Sequence, residues 1–208
     1  MEYAEPFIAT RWSLLSRLRN LDDQASWQDF FNTYWKLIYG VALKAGLDDS
    51  AAQDVVQETV LTVMRKLPSF KTDPQAGSFK GWLLHIVRWR VADQFRRQQR
   101  QDRWLVPAAA ETDATPTVER IPDPAGFNLE RVWDEEWEKN LVDVALERVK
   151  AQVNAGLYQM FDLYVVKQWP VRDVAKALRV SVSHVYVAKH RVSALVNKEI
   201  RELQQQRV

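Results

Sequence analysis

The residues from Ala51 to Arg97 constrain the fold most, because they carry the periodicity of two helices separated by a polar loop. Apolar residues recur at three- and four-residue steps up to Pro68, which cannot lie inside a helix, so the first helix ends there. Residues 69–78 contain a proline and a glycine and predict the loop. The second helix begins near Phe79 and interleaves arginines with aromatic residues. Arginines can bind phosphates while aromatic rings stack on unpaired bases, so this pattern favours nucleic-acid binding.

Composition limits the classes of protein that this chain can belong to. Its 208 residues suffice for one large or two small domains. The absence of cysteine excludes disulfides and thiolate metal sites, and three dispersed histidines offer no metal cluster, so we expect no cofactor. No apolar run reaches the length of about twenty residues that a membrane span needs, and the first residues lack the order of a signal peptide. We therefore expect a cytoplasmic protein without a membrane span.

Charge is segregated along the chain although the formal net charge is only +2. Residues 62–104 carry ten Lys/Arg against three Asp/Glu, residues 105–140 carry three against nine, and residues 141–208 carry eleven against six. Two basic blocks separated by an acidic one predict two nucleic-acid-binding domains and a different role for the segment between them. That segment is rich in proline, alanine and threonine, which is typical of a linker.

A second motif lies in residues 171–192 and has the pattern of a helix-turn-helix. Ala175 supplies the small residue where the two helices cross, and either Ser181 or Ser183 can cap the second helix. The turn usually holds glycine, whereas this chain has Arg179, so a left-handed backbone there carries a cost. The residues on the outward face of the second helix are expected to face the major groove of DNA; they are Ser183, His184, Tyr186, Val187, Lys189, His190 and Arg191.

The first segment resembles region 2 of bacterial sigma factors of the extracytoplasmic-function (ECF) type. That family carries D-x-V-Q-E-T and, after a loop, F-x-x-W-L-x-x-I-x-R-N followed by a pair of arginines. The matching residues are Asp54, Val56, Gln57, Glu58, Thr59, Phe79, Trp82, Leu83, Ile86, Arg88, Asp93, Arg96 and Arg97. The usual asparagine is Trp89 here, which would replace a polar contact to a promoter base by stacking.

The resemblance implies two binding surfaces in this segment. Considered alone, the polar residues of the first helix would be solvated surface residues, but in the family the equivalent surface docks on a coiled coil of core RNA polymerase. The implied contacts are Asp54, Gln57, Glu58 and Leu61. In the family the loop captures a base that is flipped out of the melted minus-ten element. The residues implied at the rim of that pocket are Phe70, Lys71, Ser78 and Phe79, and those implied to hold the non-template strand are Lys80, Arg88, Trp89, Arg96 and Arg97.

The helix-turn-helix, placed after such a segment, resembles sigma region 4, which reads the minus-thirty-five element. Many members carry T-V-K-S-R-L-x-R-A where this chain has a different run from His184 to Val192, so their promoter preference is not transferred. The resemblance implies an all-α protein of two helical domains: region 2-like residues 1–100, a linker over 101–128 and region 4-like residues 129–208. It implies core RNA polymerase and promoter DNA as partners and an anti-sigma factor as a candidate partner.

The sequence thus predicts a sigma-type transcription initiation factor that is not itself an enzyme. Two alternatives stay open. One is a stand-alone helix-turn-helix regulator whose N-terminal helices bind a ligand or dimerise. The other is a nucleic-acid-processing enzyme using Asp54, Glu58 and His85, which the lack of a metal-ligand cluster disfavours.

Overall fold

The computed structural model describes residues 12–70, 78–104 and 128–204. Every regular element in this part of the chain is helical, as the sequence predicts. The α-helices are α1 (Trp12–Arg17), α2 (Gln24–Lys44), α3 (Asp49–Lys66), α4 (Phe79–Trp104), α5 (Leu129–Gln152), α6 (Ala155–Phe161), α7 (Val171–Leu178) and α8 (Val182–Gln204). A 3-10 turn (Leu67–Ser69) follows α3, and a π-helical turn (Asp162–Val166) follows α6. None of these helices is both long and apolar enough to cross a membrane.

Local signals set the helix ends in the first half of the chain. The Asp23 side chain caps α2 by accepting a hydrogen bond from the Ser26 amide, and Asp48 caps α3 by accepting one from the Ala51 amide at 2.8 Å. Gly46 follows α2 with a φ of 99°, a left-handed value that glycine adopts without a steric cost. Pro68 lies in the 3-10 turn that ends α3. The predicted end of this helix before Pro68 is confirmed.

The core of the first compact unit forms where α2, α3 and α4 pack together. Its fully buried side chains come from all three helices and include Phe30, Leu37, Ile38, Val41, Val55, Val63, Phe79 and Leu83. The aromatic and apolar residues of α2 lie mostly in the core, but Phe31 is 38% exposed and stacks on Trp35. This burial fixes α3 and α4 side by side and leaves one face of each helix for other contacts.

The two compact units divide between Asn140 and Leu141, inside α5. Before this point α5 packs against the first unit. Trp137 stacks on Tyr34 with 5.7 Å between ring centroids, and the buried Asn140 amide donates to the Thr33 carbonyl at 2.9 Å. The helix α4 also continues to Trp104, four residues into the predicted linker, whereas residues 105–127 lie outside the described part. The predicted domain boundaries stay predictions, and the observed division falls later along the chain.

The second unit contains the helix-turn-helix formed by α7 and α8. Val174, Ala175 and Val185 are buried at the crossing of these helices, with Leu163 and Leu178 packed against them. The backbone of Arg179 has φ 54° and ψ 43°, so the turn adopts the left-handed conformation that is expected to be costly without glycine. Elsewhere in this unit, the buried Glu199 of α8 accepts a hydrogen bond from Gln152 of α5 at 3.1 Å.

Candidate functional site

The predicted polymerase-binding residues share one face of α3, because they occupy positions i, i+3, i+4 and i+7 of the helix. Asp54 and Gln57 are exposed, and Leu61 is 47% exposed although it is a large apolar residue. An exposed leucine between carboxylate and amide groups is suited to an apolar and polar contact with a partner helix. Glu58 lies on the same face but is engaged within the protein, since its carboxylate is 2.9 Å from the guanidinium of Arg90.

Arg90 is a buried cation of α4 that joins the two helices. Its guanidinium donates to the Thr62 hydroxyl oxygen at 2.5 and 3.2 Å, and that hydroxyl donates to the Glu58 carbonyl at 2.7 Å. The same guanidinium lies 4.3 Å from the centre of the Trp89 ring. Glu58, a predicted polymerase contact, is therefore connected through Arg90 to Trp89, a predicted DNA contact. The sequence predicts no role for Arg90, because its contacts cross from one helix to another.

The basic residues predicted to hold the non-template strand lie along α4 and are ion-paired. Lys80 contacts Asp134 at 2.5 Å, and Arg88 contacts Glu130 at 2.7 Å. Arg96 and Arg97 both pair with Asp93, one turn away, at 3.6 and 2.9 Å. The carboxylates that meet Lys80 and Arg88 belong to the first turns of α5, so an acidic helix lies along the predicted DNA-binding cations.

A third ion pair fixes the same part of α5 to α2. Lys44 contacts Glu136 at 2.8 Å, and the hydrogen bond from the ammonium to this carboxylate raises the pKa of Lys44 above its ordinary value. Gly40 allows the close approach, because a Cβ at this position would lie 2.9 Å from a Glu136 carboxylate oxygen.

The residues predicted around the base-capturing loop have different environments. Phe79 is 2% exposed and packs against Phe30 and Tyr34, so it belongs to the core here, and its role at the pocket rim stays a prediction. Phe70 is half-buried against Trp82 with 4.7 Å between ring centroids. Ser78 accepts a hydrogen bond from the Gly81 amide at the start of α4. Lys71 lies outside the described residues.

The outward face of α8 is exposed at all seven predicted positions, from Ser183 to Arg191. Tyr186 is 49% exposed and meets Tyr164 edge to face, while the ammonium of Lys189 lies 5.5 Å from the Tyr164 ring centre. Of the two predicted caps, Ser181 is the one that accepts a hydrogen bond from the His184 amide. This face combines aromatic, apolar and cationic groups on a helix that can enter a DNA groove.

Within the described residues, no group of three or more His, Asp or Glu side chains could hold a metal ion. The candidate sites in this part of the chain are formed by cations, aromatic rings and one acidic helix face. Those are the groups that recognise phosphates, bases and protein helices.

Comparisons with known proteins agree with these features. Residues 30–101 match the family model for sigma-70 region 2. Over 184 residues the chain is 25% identical to the ECF RNA polymerase sigma factor SigX of Bacillus subtilis (strain 168), with 88% of each chain covered. It is 26% identical over 156 residues to the ECF RNA polymerase sigma factor SigK of Mycobacterium sp. (strain KMS), covering 73% of this chain and 77% of the relative. A solved structure of CnrH in complex with the cytosolic domain of CnrY is similar at a TM-score of 0.36 and 17% identity, covering 91% of this chain and 96% of that one. In its region 2 match and in these curated relatives the chain is similar to sigma factors of the ECF type.

Proposed function

We propose that this chain is a sigma factor that binds core RNA polymerase through the exposed face of α3, directs it to specific promoters and helps to melt promoter DNA. The observation that carries the proposal is the exposure of Asp54, Gln57 and Leu61 on one face of α3, beside the basic and aromatic surface of α4. In this role the polymerase performs the chemistry, in the cytoplasm, and the chain supplies recognition. An anti-sigma factor as a further partner stays a prediction of the family resemblance.

Two DNA-binding surfaces divide the recognition of the promoter in this proposal. The cations of α4 neutralise phosphates of the melted strand, with Trp89 available for stacking, and the outward face of α8 enters the major groove of the minus-thirty-five element. Phosphate contacts set affinity and its salt dependence, whereas contacts to base edges set the sequence preference.

Co-purification with core RNA polymerase tests the proposed docking face. Leu61→Asp and Asp54→Arg place a carboxylate or a guanidinium on an exposed position of α3, so each should abolish stable binding while the fold persists. Leu43→Asp is the matched control, because Leu43 is also an exposed leucine of the first unit, at 39% against 47% for Leu61. Glu58 is a poor choice for this test, because Glu58→Arg would place a second guanidinium beside Arg90.

The outcomes separate the proposal from the stand-alone regulator. Wild-type binding that both α3 variants abolish and Leu43→Asp retains supports the proposal. Binding that survives in both variants moves the docking face elsewhere. A wild-type chain that binds duplex promoter DNA tightly and never retains the polymerase supports the stand-alone helix-turn-helix regulator.

A further inference from the structure

The first turns of α5, residues 129–140, bury one continuous face in the first compact unit. The buried positions recur at three- and four-residue steps, as in an amphipathic helix. They are Leu129, Val132, Trp133, Glu136, Trp137 and Asn140, each at most 9% exposed. Residues 129–140 also carry five Asp/Glu against two Lys/Arg. We call them the acidic segment of α5.

Three contacts hold the acidic segment on α2. The Trp137 ring stacks on Tyr34 with 5.7 Å between centroids. The Asn140 amide donates to the Thr33 carbonyl at 2.9 Å in the protein interior. The ion pair with Lys44 adds a charged contact at 2.8 Å. These contacts come from little more than one turn of α5, so they form and break together.

The acidic segment also covers one end of the basic surface of α4. The Lys80 ammonium lies 2.5 Å from the Asp134 carboxylate and 5.7 Å from the centre of the Trp137 ring, and the Lys80 side chain is only 13% exposed. The Arg88 side chain, by contrast, is 46% exposed beside its own carboxylate partner. A phosphate can therefore approach Arg88 directly, whereas it can meet Lys80 only after the acidic segment has moved.

The burial of the acidic segment leaves one polar group unsatisfied. The Trp133 side chain is 1% exposed, and its indole N–H has no hydrogen-bond partner among the described residues. A buried donor without a partner lowers the stability of the arrangement that buries it. Release of the acidic segment would return this N–H to water, which favours its displacement by a competing ligand.

We propose that the acidic segment is autoinhibitory: in the free protein it covers the Lys80 end of α4, and a DNA strand binds there only after the segment has left α2 and α4. The inference rests on the proposed function, because it concerns the DNA-binding surface of α4. Carboxylates of the segment occupy the place that phosphates of the strand would take, so the segment and the strand exclude each other. A segment with a purely structural role would stay in place when DNA binds.

A disulfide that holds the acidic segment on α2 tests the proposal. The chain has no cysteine, so no other thiol competes. A Cβ at Gly40 would lie 3.7 Å from the Glu136 carboxyl carbon, which leaves room for a bridge in Gly40→Cys/Glu136→Cys. After oxidation with diamide, this variant should bind a labelled single-stranded oligonucleotide about tenfold or more weakly in fluorescence anisotropy, because it cannot open. Dithiothreitol should restore binding. Either single variant should bind alike before and after oxidation.

Release of the acidic segment should have the opposite effect. Trp137→Ala removes the stack on Tyr34 and the ring beside Lys80, so a larger fraction of the protein is open. We expect about tenfold or more tighter binding of the same oligonucleotide, since the apparent affinity rises with the open fraction. Trp35→Ala, at a half-buried tryptophan of α2, is the matched control and should bind like wild type. Thermal melting of both variants checks that the remaining helices stay folded.

Acylation of lysine amines, followed by mass spectrometry, measures the position of the acidic segment without DNA or polymerase. Lys80 should react slowly in the wild type compared with Lys36, which is exposed on α2. It should react faster in Trp137→Ala and slowly again in the oxidised disulfide variant. If Lys80 reacts as fast as Lys36 in the wild type, the acidic segment does not cover it and the proposal is wrong.

The remaining outcomes separate autoinhibition from the proposed function. Protected Lys80 together with equal oligonucleotide binding by the oxidised, reduced and Trp137→Ala proteins overturns the proposal and leaves the segment a structural role. Co-purification with core RNA polymerase is measured on the same samples. Redox-dependent DNA binding in a chain that never retains the polymerase supports autoinhibition and contradicts the proposed function. Retention of the polymerase with DNA binding that ignores the disulfide supports the proposed function and contradicts autoinhibition.

Discussion

The guanidinium of Arg88 on α4 lies 2.7 Å from the carboxylate of Glu130 on α5, forty-two residues further along the chain. Lys80 and Asp134 form a second such pair, about two turns earlier on α4 and about one turn later on α5. The cations predicted to hold the promoter strand therefore already have anionic partners. A DNA phosphate has to replace these carboxylates. The Arg88–Glu130 pair is exposed on both sides, and because exposed ion pairs contribute about 0–1 kcal/mol, the competition there is modest.

Removal of the competing carboxylates should strengthen binding of single-stranded minus-ten DNA. We expect Glu130→Gln/Asp134→Asn to raise the affinity by about twofold to tenfold, because each ion pair that no longer has to break contributes up to about 1 kcal/mol. Fluorescence anisotropy at low salt measures the change, and the gain should shrink as added salt screens the pairs. Glu138→Gln, at an exposed carboxylate of the same helix, controls for the general loss of negative charge. An equal gain in this control would show that the pairing geometry is unimportant.

Arg90 should couple the stability of α3 to that of α4. We expect Arg90→Ala to lower the free energy of unfolding by about 2–4 kcal/mol, because it removes a buried ion pair and leaves Thr62 and Glu58 without this donor. Glu58→Gln should cost less, since the amide oxygen still accepts a hydrogen bond and the Thr62 contact persists. Urea denaturation of both single variants and the double variant gives the coupling energy. Additive effects would contradict a direct interaction between these two side chains.

The sequence predicts the elements better than it predicts their partners. Asp23, Gly46 and Pro68 act within a few residues of their own positions, so local pattern suffices to place the helix ends. The family resemblance implies a binding pocket for Phe79, but an aromatic residue at the start of a helix has the same local pattern whether it faces DNA or the core. Only the packing of α2 against α4 decides that it is buried.

Ion pairs between residues that are far apart in the sequence could not be predicted, for a related reason. The sequence pattern assigns one part of the acidic block to a linker and the other part, which includes Glu130 and Asp134, to a second domain. Nothing in the local pattern indicates that these carboxylates pair with Lys80 or Arg88. Those pairs depend on where α5 packs, which follows from the stacking of Trp137 on Tyr34. The helix-turn-helix is predictable because its contacts lie within about twenty residues of one another.

Asp23 should make the stability of the first unit depend on pH in acid. Its hydrogen bonds with Arg17 and Ser26 lower the pKa of the Asp23 carboxyl from 3.8 to about 2. A lowered pKa in the folded state means that the stabilisation is complete above the unfolded value and is lost as the pH falls from about 4 towards about 2. Asp23→Asn cannot ionise, so the difference in unfolding free energy between it and wild type should shrink across this interval. Urea denaturation at several pH values measures it, and a constant difference would contradict the linkage.

Arg179 offers a site where a single change should stabilise the helix-turn-helix. Its φ of 54° is unfavourable for a residue with a Cβ by about 1 kcal/mol, and glycine adopts it freely. We expect Arg179→Gly to raise the free energy of unfolding by about 0.5–1 kcal/mol. Glycine also gives the unfolded chain more conformational entropy, and this effect offsets part of the gain. Arg172→Gly, inside α7, is the opposite control and should destabilise by about 1 kcal/mol. Thermal melting compares the two, and destabilisation by both changes would show that the Arg179 side chain matters more than its backbone.

Lys189 should contribute to duplex binding through charge, and Tyr186 through contacts in the groove. Lys189 is exposed on α8, and its ammonium lies 5.5 Å from the centre of the Tyr164 ring, which restricts where the charge is presented. If it meets one phosphate, Lys189→Gln should weaken binding of all duplexes alike and reduce the salt slope by about one. Lys198→Gln, further along the same helix, is the matched control and should leave the slope unchanged.

Tyr186→Phe provides the contrast to the lysine change. It removes a hydroxyl from a side chain that is 49% exposed and leaves every charge in place. We therefore expect the salt slope to stay constant while the preference among duplex sequences shifts, because contacts to base edges carry specificity and contacts to phosphates do not. Anisotropy titrations with a panel of duplexes at several salt concentrations measure both quantities. A Tyr186→Phe variant with an altered slope and unaltered preference would mean that this face of α8 does not enter the groove as proposed.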